Sequence, residues 1–146
     1  MAKNKDSKSF QSNRFRKVLL KWYKTHKRDL PWRKTKDPYK ILISEIMLQQ
    51  TQVETVISYY RAWMKKFGTV KKLAGASLDE VLLLWEGMGY YSRARNLHLA
   101  AQKIVKKCNE KIPCSYKDLL DLPGIGKYTA GAVVSIAFDQ PVPAID

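Results

Sequence analysis

From Asn13 to Phe138 the apolar residues of this chain recur at helical spacing, and no segment alternates with period two long enough to build a strand. That confines the fold to an all-α class. Phe15, Val18, Leu19 and Trp22 stand at i, i+3, i+4 and i+7, which predicts an amphipathic helix over 13–27 with this stripe turned inward. Residues 1–10 are polar and lysine-rich and read as a disordered basic tail, leaving 11–146 as one helical domain.

Pro31 and Pro38 break RDLPWRKTKDPYK into a loop. Asp37 then N-caps a helix with Pro38 at its first position; it carries Ile41, Leu42, Ile46 and Met47 and ends near Gln49. A helix from Thr51 turns Val53, Val56, Ile57, Tyr60, Met64 and Phe67 inward, with Gly68 as its stop. After a short turn near Val70–Ala74, Ser77 and Glu80 form a capping box for a helix that Gly87 closes. A long helix from Tyr90 or Tyr91 to Cys108 points Ala94, Leu97, Ala101, Ile104 and Val105 inward. Ser115 and Asp118 open a short helix ending at Leu122, and Lys127–Phe138 forms the last one.

Charge narrows the partner. The 27 Lys+Arg against 13 Asp+Glu give +14, a balance suited to a polyanion. No apolar run approaches the ~20 residues a membrane span needs, and MAKNKDSKSF has no apolar signal core. Cys108 and Cys114 match no metal-ligand spacing, so no metal is expected here and a reduced intracellular protein is the simplest account. Nucleic acid is the expected partner, and a monomer the expected state.

LPGIGKYTAGA, residues 122–132, ties that charge to a shape. Pro123 stops one helix, and Gly124 and Gly126 permit backbone angles closed to other residues. Bare backbone there can approach a surface, and its N–H groups point outward before a helix N-terminus, an arrangement that binds phosphate. Lys127 adds a cation, Ile125 can plug back between the helices, and Ala130, Gly131 and Ala132 permit close packing behind. The pattern is a helix-hairpin-helix.

Three segments carry a wider resemblance: LPWRKTKDPYKILISEIMLQQTQVETVISYY, WEGMGYYSRARNLHLAA and LPGIGKYTAGAVVSIAF. From about Arg28 to Asp146 the chain resembles the adenine DNA glycosylases of the helix-hairpin-helix glycosylase superfamily, which also holds endonuclease III. The resemblance implies a six-helix barrel module with the hairpin. The implied activity is removal of adenine mispaired with 8-oxoguanine or guanine in double-stranded DNA, after the adenine is flipped out of the duplex.

The resemblance also assigns residues. Glu45 matches the catalytic acid, Asp146 the second catalytic carboxylate, and Tyr128 the slot where endonuclease III-like enzymes carry a Schiff-base lysine. Gln49 and Gln50 match the residues that fill and probe the space left in the helix, and Thr51 beside them is expected to bind DNA. Tyr90 matches the wedge beside 8-oxoguanine, and Arg33 a basic residue near the flipped nucleotide. Leu122, Gly124, Gly126 and Lys127 match the hairpin that grips the backbone.

A phenol cannot form an imine, so Tyr128 favours a glycosylase without an efficient lyase step over an endonuclease III-like enzyme. The other alternative is a DNA-binding module without catalysis. The family continues past the aspartate into a four-cysteine 4Fe-4S cluster and a domain that reads 8-oxoguanine. A module ending at Asp146 is expected to bind DNA weakly and release adenine at least ~100-fold more slowly than one that continues. The expected location follows the substrate: bacterial-type cytoplasm or nucleus.

Overall fold

A helix apolar on every side has to sit at the centre of a fold, and residues 38–48 form such a helix. The computed structural model describes the backbone of residues 3–145 and the side chains from residue 12 onward. Eight helices and a 3₁₀ turn succeed one another among the described residues, with no strand. They are α1 (Lys3–His26), the turn Pro31–Lys34, α2 (Pro38–Leu48), α3 (Val53–Lys66), α4 (Val70–Gly75), α5 (Leu78–Trp85), α6 (Ser92–Lys107), α7 (Tyr116–Leu120) and α8 (Lys127–Phe138).

In α2 every residue from Ile41 to Met47 is buried, Glu45 among them. Its start is fixed as the sequence predicts: the Asp37 carboxylate accepts from the backbone N–H of Tyr39 at 2.9 Å and of Lys40 at 3.4 Å. Such a cap stabilises a helix by about 1 kcal/mol. Around α2 pack α3, α8, α6 and the 3₁₀ turn, while α4 and α5 close over α6 and α7 leans on α8.

Aromatic rings fill the far side of this core. The Trp63 and Trp85 rings, both fully buried, meet edge to face at 5.5 Å, and Phe67 meets Trp63 at 5.2 Å. Truncating a buried Trp of this kind costs about 3–5 kcal/mol. Tyr39 reaches the same layer and donates its hydroxyl to the Phe67 carbonyl at 2.6 Å. A cleft lies elsewhere on α2, beside Glu45, Leu48 and the start of α8.

Four sequence expectations need correction. Helix α1 starts at Lys3, so it takes in residues 3–10 that composition assigns to a tail. Its stripe is not inward: Phe15, Val18, Leu19 and Trp22 are all exposed, since no described helix covers that face. The stretch after α3 is the helix α4, begun by Thr69, whose hydroxyl accepts from the Lys72 N–H at 3.3 Å. Gly68 is not a left-handed stop. It is excluded from bearing a side chain because a Cβ would lie 2.8 Å from the Met64 carbonyl oxygen.

Candidate active site

Glu45 projects from the buried heart of α2 into a cleft of about 900 Å³ whose other walls are α8 and the turn before α6. Only 9% of the residue is exposed. Burial holds its carboxyl above the ordinary value of 4.5, and the Arg33 guanidinium pulls the other way with less effect. The result is a carboxyl that keeps its proton more tightly than one in water. Arg33 is placed by the 3₁₀ turn: Trp32 is buried beneath it, and the Arg33 N–H donates to the Leu30 carbonyl at 3.0 Å. A smaller cavity of about 300 Å³ adjoins on the same three residues, Arg33, Glu45 and Tyr128.

Glu45 has a consequence for stability that needs no substrate. A raised folded value means that the native state binds the proton better than the unfolded chain. The stabilisation is present below the ordinary 4.5 and is lost as pH rises through the raised value. Glu45→Gln, which cannot ionise, is expected to raise the melting temperature at neutral pH and to leave it unchanged below pH 4.5. Calorimetry at the two pH values checks this; an equal shift at both would mean that ionisation is not the cause.

The rim is built from two strained turns. After α2, Gln49 is half-buried and donates its side-chain amide to the Thr129 hydroxyl at 3.2 Å, tying the turn to α8. Gln50 follows, exposed, with φ +54°. Across the cleft Tyr90 has φ +48° and is 61% exposed. Left-handed backbone is uncommon for such residues and costs of order 1–3 kcal/mol unless the surroundings impose it. Thr51 is half-buried, and its hydroxyl accepts a hydrogen bond from Arg93.

At the hairpin, Gly124 has φ +75°, and a Cβ there would stand 2.7 Å from that of Asn96. Gly126 is different: its φ of −88° is open to any residue and nothing lies near its missing Cβ. Its backbone is bare and exposed at the mouth of α8. Ile125 plugs inward as the sequence predicts, 5% exposed. Leu122 does so too, 4% exposed, with its carbonyl accepting from the Ile125 N–H at 3.2 Å. Lys127 and Tyr128, on the first turn of α8, are exposed and line the cleft. Asp146 lies outside the described residues, but Ile145 before it also lines the cleft.

The match to known proteins is extensive. Residues 43–146, more than half of the chain, match the family model described as HhH-GPD superfamily base excision DNA repair protein. The chain belongs to that family. As an HhH-GPD protein it is 50% identical over 141 residues to the adenine DNA glycosylase of Rattus norvegicus, covering 90% of this chain and 27% of that protein. It is 48% identical over 126 residues to the adenine DNA glycosylase of Buchnera aphidicola subsp. Baizongia pistaciae, covering 86% and 36%. The chain thus spans about a quarter to a third of the length of these relatives. Among solved structures, a thermostable thymine-DNA glycosylase superposes with a TM-score of 0.84 at 34% identity, over 92% of this chain and 64% of that one. A non-covalent endonuclease III–DNA complex gives 0.77 at 26% identity, over 92% and 63%.

Three residues of this HhH-GPD site escape a reading of the sequence. Thr129, 2% exposed, receives Gln49. Gly131, read as a packing residue within α8, also carries the C-terminal segment: a Cβ there would lie 2.5 Å from the Pro143 carbonyl oxygen. Arg93, on the first turn of α6, is 8% exposed and bonded to both rim turns. One signal marks Arg93, though it marks the exposed Arg95 of the same turn alike. A cation in the first turn of a helix opposes the helix dipole, and such a placement needs a reason.

Proposed function

We propose that this protein removes adenine from double-stranded DNA in which it is mispaired with 8-oxoguanine or guanine, by hydrolysis of the N-glycosidic bond. The observation that carries the reading is Glu45: a carboxyl whose hold on its proton is strengthened by burial, at the wall of a cleft large enough for a flipped base. About 50% identity to adenine DNA glycosylases supports the choice of base. A protein acting on genomic DNA works inside the cell, in cytoplasm or nucleus.

In this reading protonated Glu45 donates to adenine N7. The C1′–N9 bond then breaks, its electron pair leaving with the base, and the sugar becomes an oxocarbenium-like cation. Asp146, ionised, stabilises that cation. Water adds to C1′ and returns a proton to the Glu45 carboxylate. Arg33 faces the flipped nucleotide, Gln50 and Gln49 enter the emptied stack, and Tyr90 wedges beside the opposite base. Gly124, Gly126 and Lys127 hold the phosphates. Tyr128 occupies the position that matches the Schiff-base lysine, and the Lys127 amine beside it is one residue, about 100° around the helix, out of that register, so strand cleavage is not part of the reaction. With two cysteines, residues 1–146 do not supply the four thiolates of a 4Fe-4S cluster, and no step passes through one.

Single-turnover incubation with duplexes carrying A opposite 8-oxoguanine, A opposite T, or thymine glycol tests the proposal. Adenine release from the first alone, with the strand left intact until alkali is added, is the expected result. Release of thymine glycol with strand cleavage would replace it with an endonuclease III-like activity. Binding without any release would leave a DNA-binding module.

Affinity is expected to fall steeply with salt. Each neutralised phosphate contributes about −0.9 to the log–log slope, so the hairpin and the basic surface should give a slope steeper than about −3. Fluorescence anisotropy with a labelled duplex measures it. A nearly flat line would mean that the positive charge is not the grip.

A further inference from the structure

Arg93 is an unusual arginine. It sits 8% exposed on the first turn of α6, a poor place for a cation on its own helix, yet among the described residues it makes no ion pair. Its fork is spent on two turns instead. Nη1 donates to the carbonyls of Ile46 at 3.2 Å, Met47 at 2.9 Å and Gln49, the last carbonyls of α2 and its cap. Nη2 donates to the Thr51 hydroxyl at 3.0 Å and to the carbonyls of Met88 and Gly89, each at 3.3 Å. The C-terminal end of α2, where carbonyls lack helical partners and the dipole is negative, supplies what the start of α6 withholds.

Two rings hold the guanidinium flat. Trp85 lies 5.2 Å from its carbon and Tyr90 5.6 Å, both in cation–π range. The Gly89 carbonyl is shared, since the Trp85 indole N–H donates to it at 3.0 Å. One guanidinium therefore spans the turn that carries Gln50 and the turn that carries Tyr90, the two places on the cleft rim with left-handed, non-glycine backbone. Its Nε is buried without a partner, a cost that an apolar side chain of similar length would avoid. Packing alone does not explain why an arginine stands here.

We infer that Arg93 is a positioning residue: it clamps the Gln49–Thr51 turn to the Met88–Tyr90 turn, so that the two groups inserted into DNA hold one fixed spacing and act together. The DNA side of this inference rests on the glycosylase reading above; the clamp itself does not. Separate wedges would each have to be ordered on binding. A rigid pair meets the duplex already ordered, and base opening on one strand becomes coupled to probing of the other.

Arg93→Lys keeps the charge and most of the stem but replaces the planar fork by a point donor that cannot span both turns. In hydrogen exchange on the free protein, amides of residues 49–51 and 88–91 are expected to exchange at least about tenfold faster, with α4 and α7 unchanged. On a mismatched duplex with 2-aminopurine beside the adenine, the variant should keep the wild-type salt slope yet give a smaller fluorescence rise from unstacking. In a cycle with Tyr90→Ala, the two losses in that signal should fall well short of additive. Unchanged exchange at both turns, faster exchange across the whole fold, or additive losses would each overturn the clamp. Should Arg93→Lys not fold, Thr51→Val removes one acceptor that orients the fork; faster exchange in the opposite turn, residues 88–91, is then expected, and none overturns the proposal. If the wild type releases no adenine, the glycosylase reading fails while the exchange result still decides on Arg93.

Discussion

Glu45→Gln is expected to reduce single-turnover adenine release by at least about 10³-fold, within the range that general acids contribute. The substitution keeps the volume in a site where Ile41 and Ile46 are 1% and 2% exposed, so α2 has no cause to repack. What it removes is the transferable proton. DNA affinity should stay within several-fold, because the hairpin and the rim turns lie outside α2's buried stretch. The wild-type rate should also fall as pH rises through the raised Glu45 value, since only the protonated form donates. Stopped-time assays on the A·8-oxoguanine duplex give both numbers. Near wild-type release by the variant would remove Glu45 from the acid's role, whatever its burial.

Gly131→Ala is expected to slow the same reaction by about 100-fold through a different route. In an α8 interior the change to Ala raises helix propensity by about 1 kcal/mol, which on its own stabilises. Space opposes it. The new Cβ would stand 2.5 Å from the Pro143 carbonyl oxygen, where ordinary contact is 3.4–4 Å, and the atom in the way is backbone. Helix α8 is fixed by buried neighbours on both sides, whereas residues 140–145 form no regular element. The segment gives way, by about 1 Å, and a catalytic group misplaced that far loses about two orders of magnitude. The pairing of a near-normal melting temperature with a depressed rate is the expected signature. A normal rate would show that the segment after α8 does not position the reaction.

What the sequence makes legible is whatever one stretch decides alone. Asp37 with Pro38, the Ser77–Glu80 box and Ser115 each cap a helix with their own atoms, and the structure has all three. Glu45 is singled out by the resemblance of its motif, and the structure adds that the residue is buried among its apolar helix neighbours. The failures are relations between distant stretches. The α1 stripe is real as periodicity, but nothing in residues 13–27 says what covers it. Helix α4, six residues long, is too short to show a period. Thr129, Gly131 and Arg93 acquire their roles only when α8 meets α2, when the chain returns across α8, and when the start of α6 meets the end of α2. Gly126 was misread for the opposite reason, since two glycines spaced G-x-G look alike in sequence and only Gly124 needs the left-handed angle.

The backbone at positions 50 and 90 sets a trap for selection. Among the non-glycine residues with positive φ, Asn109 and Asp139 are of types that tolerate it, whereas Gln50, Tyr90 and, away from the cleft, Glu110 are not. A library screened only for heat resistance would therefore drift toward glycine or asparagine at both positions. Each step would relax the chain while discarding a side chain on the cleft rim. Under the proposed function, thermal tolerance and the probing of DNA thus compete for the same two positions.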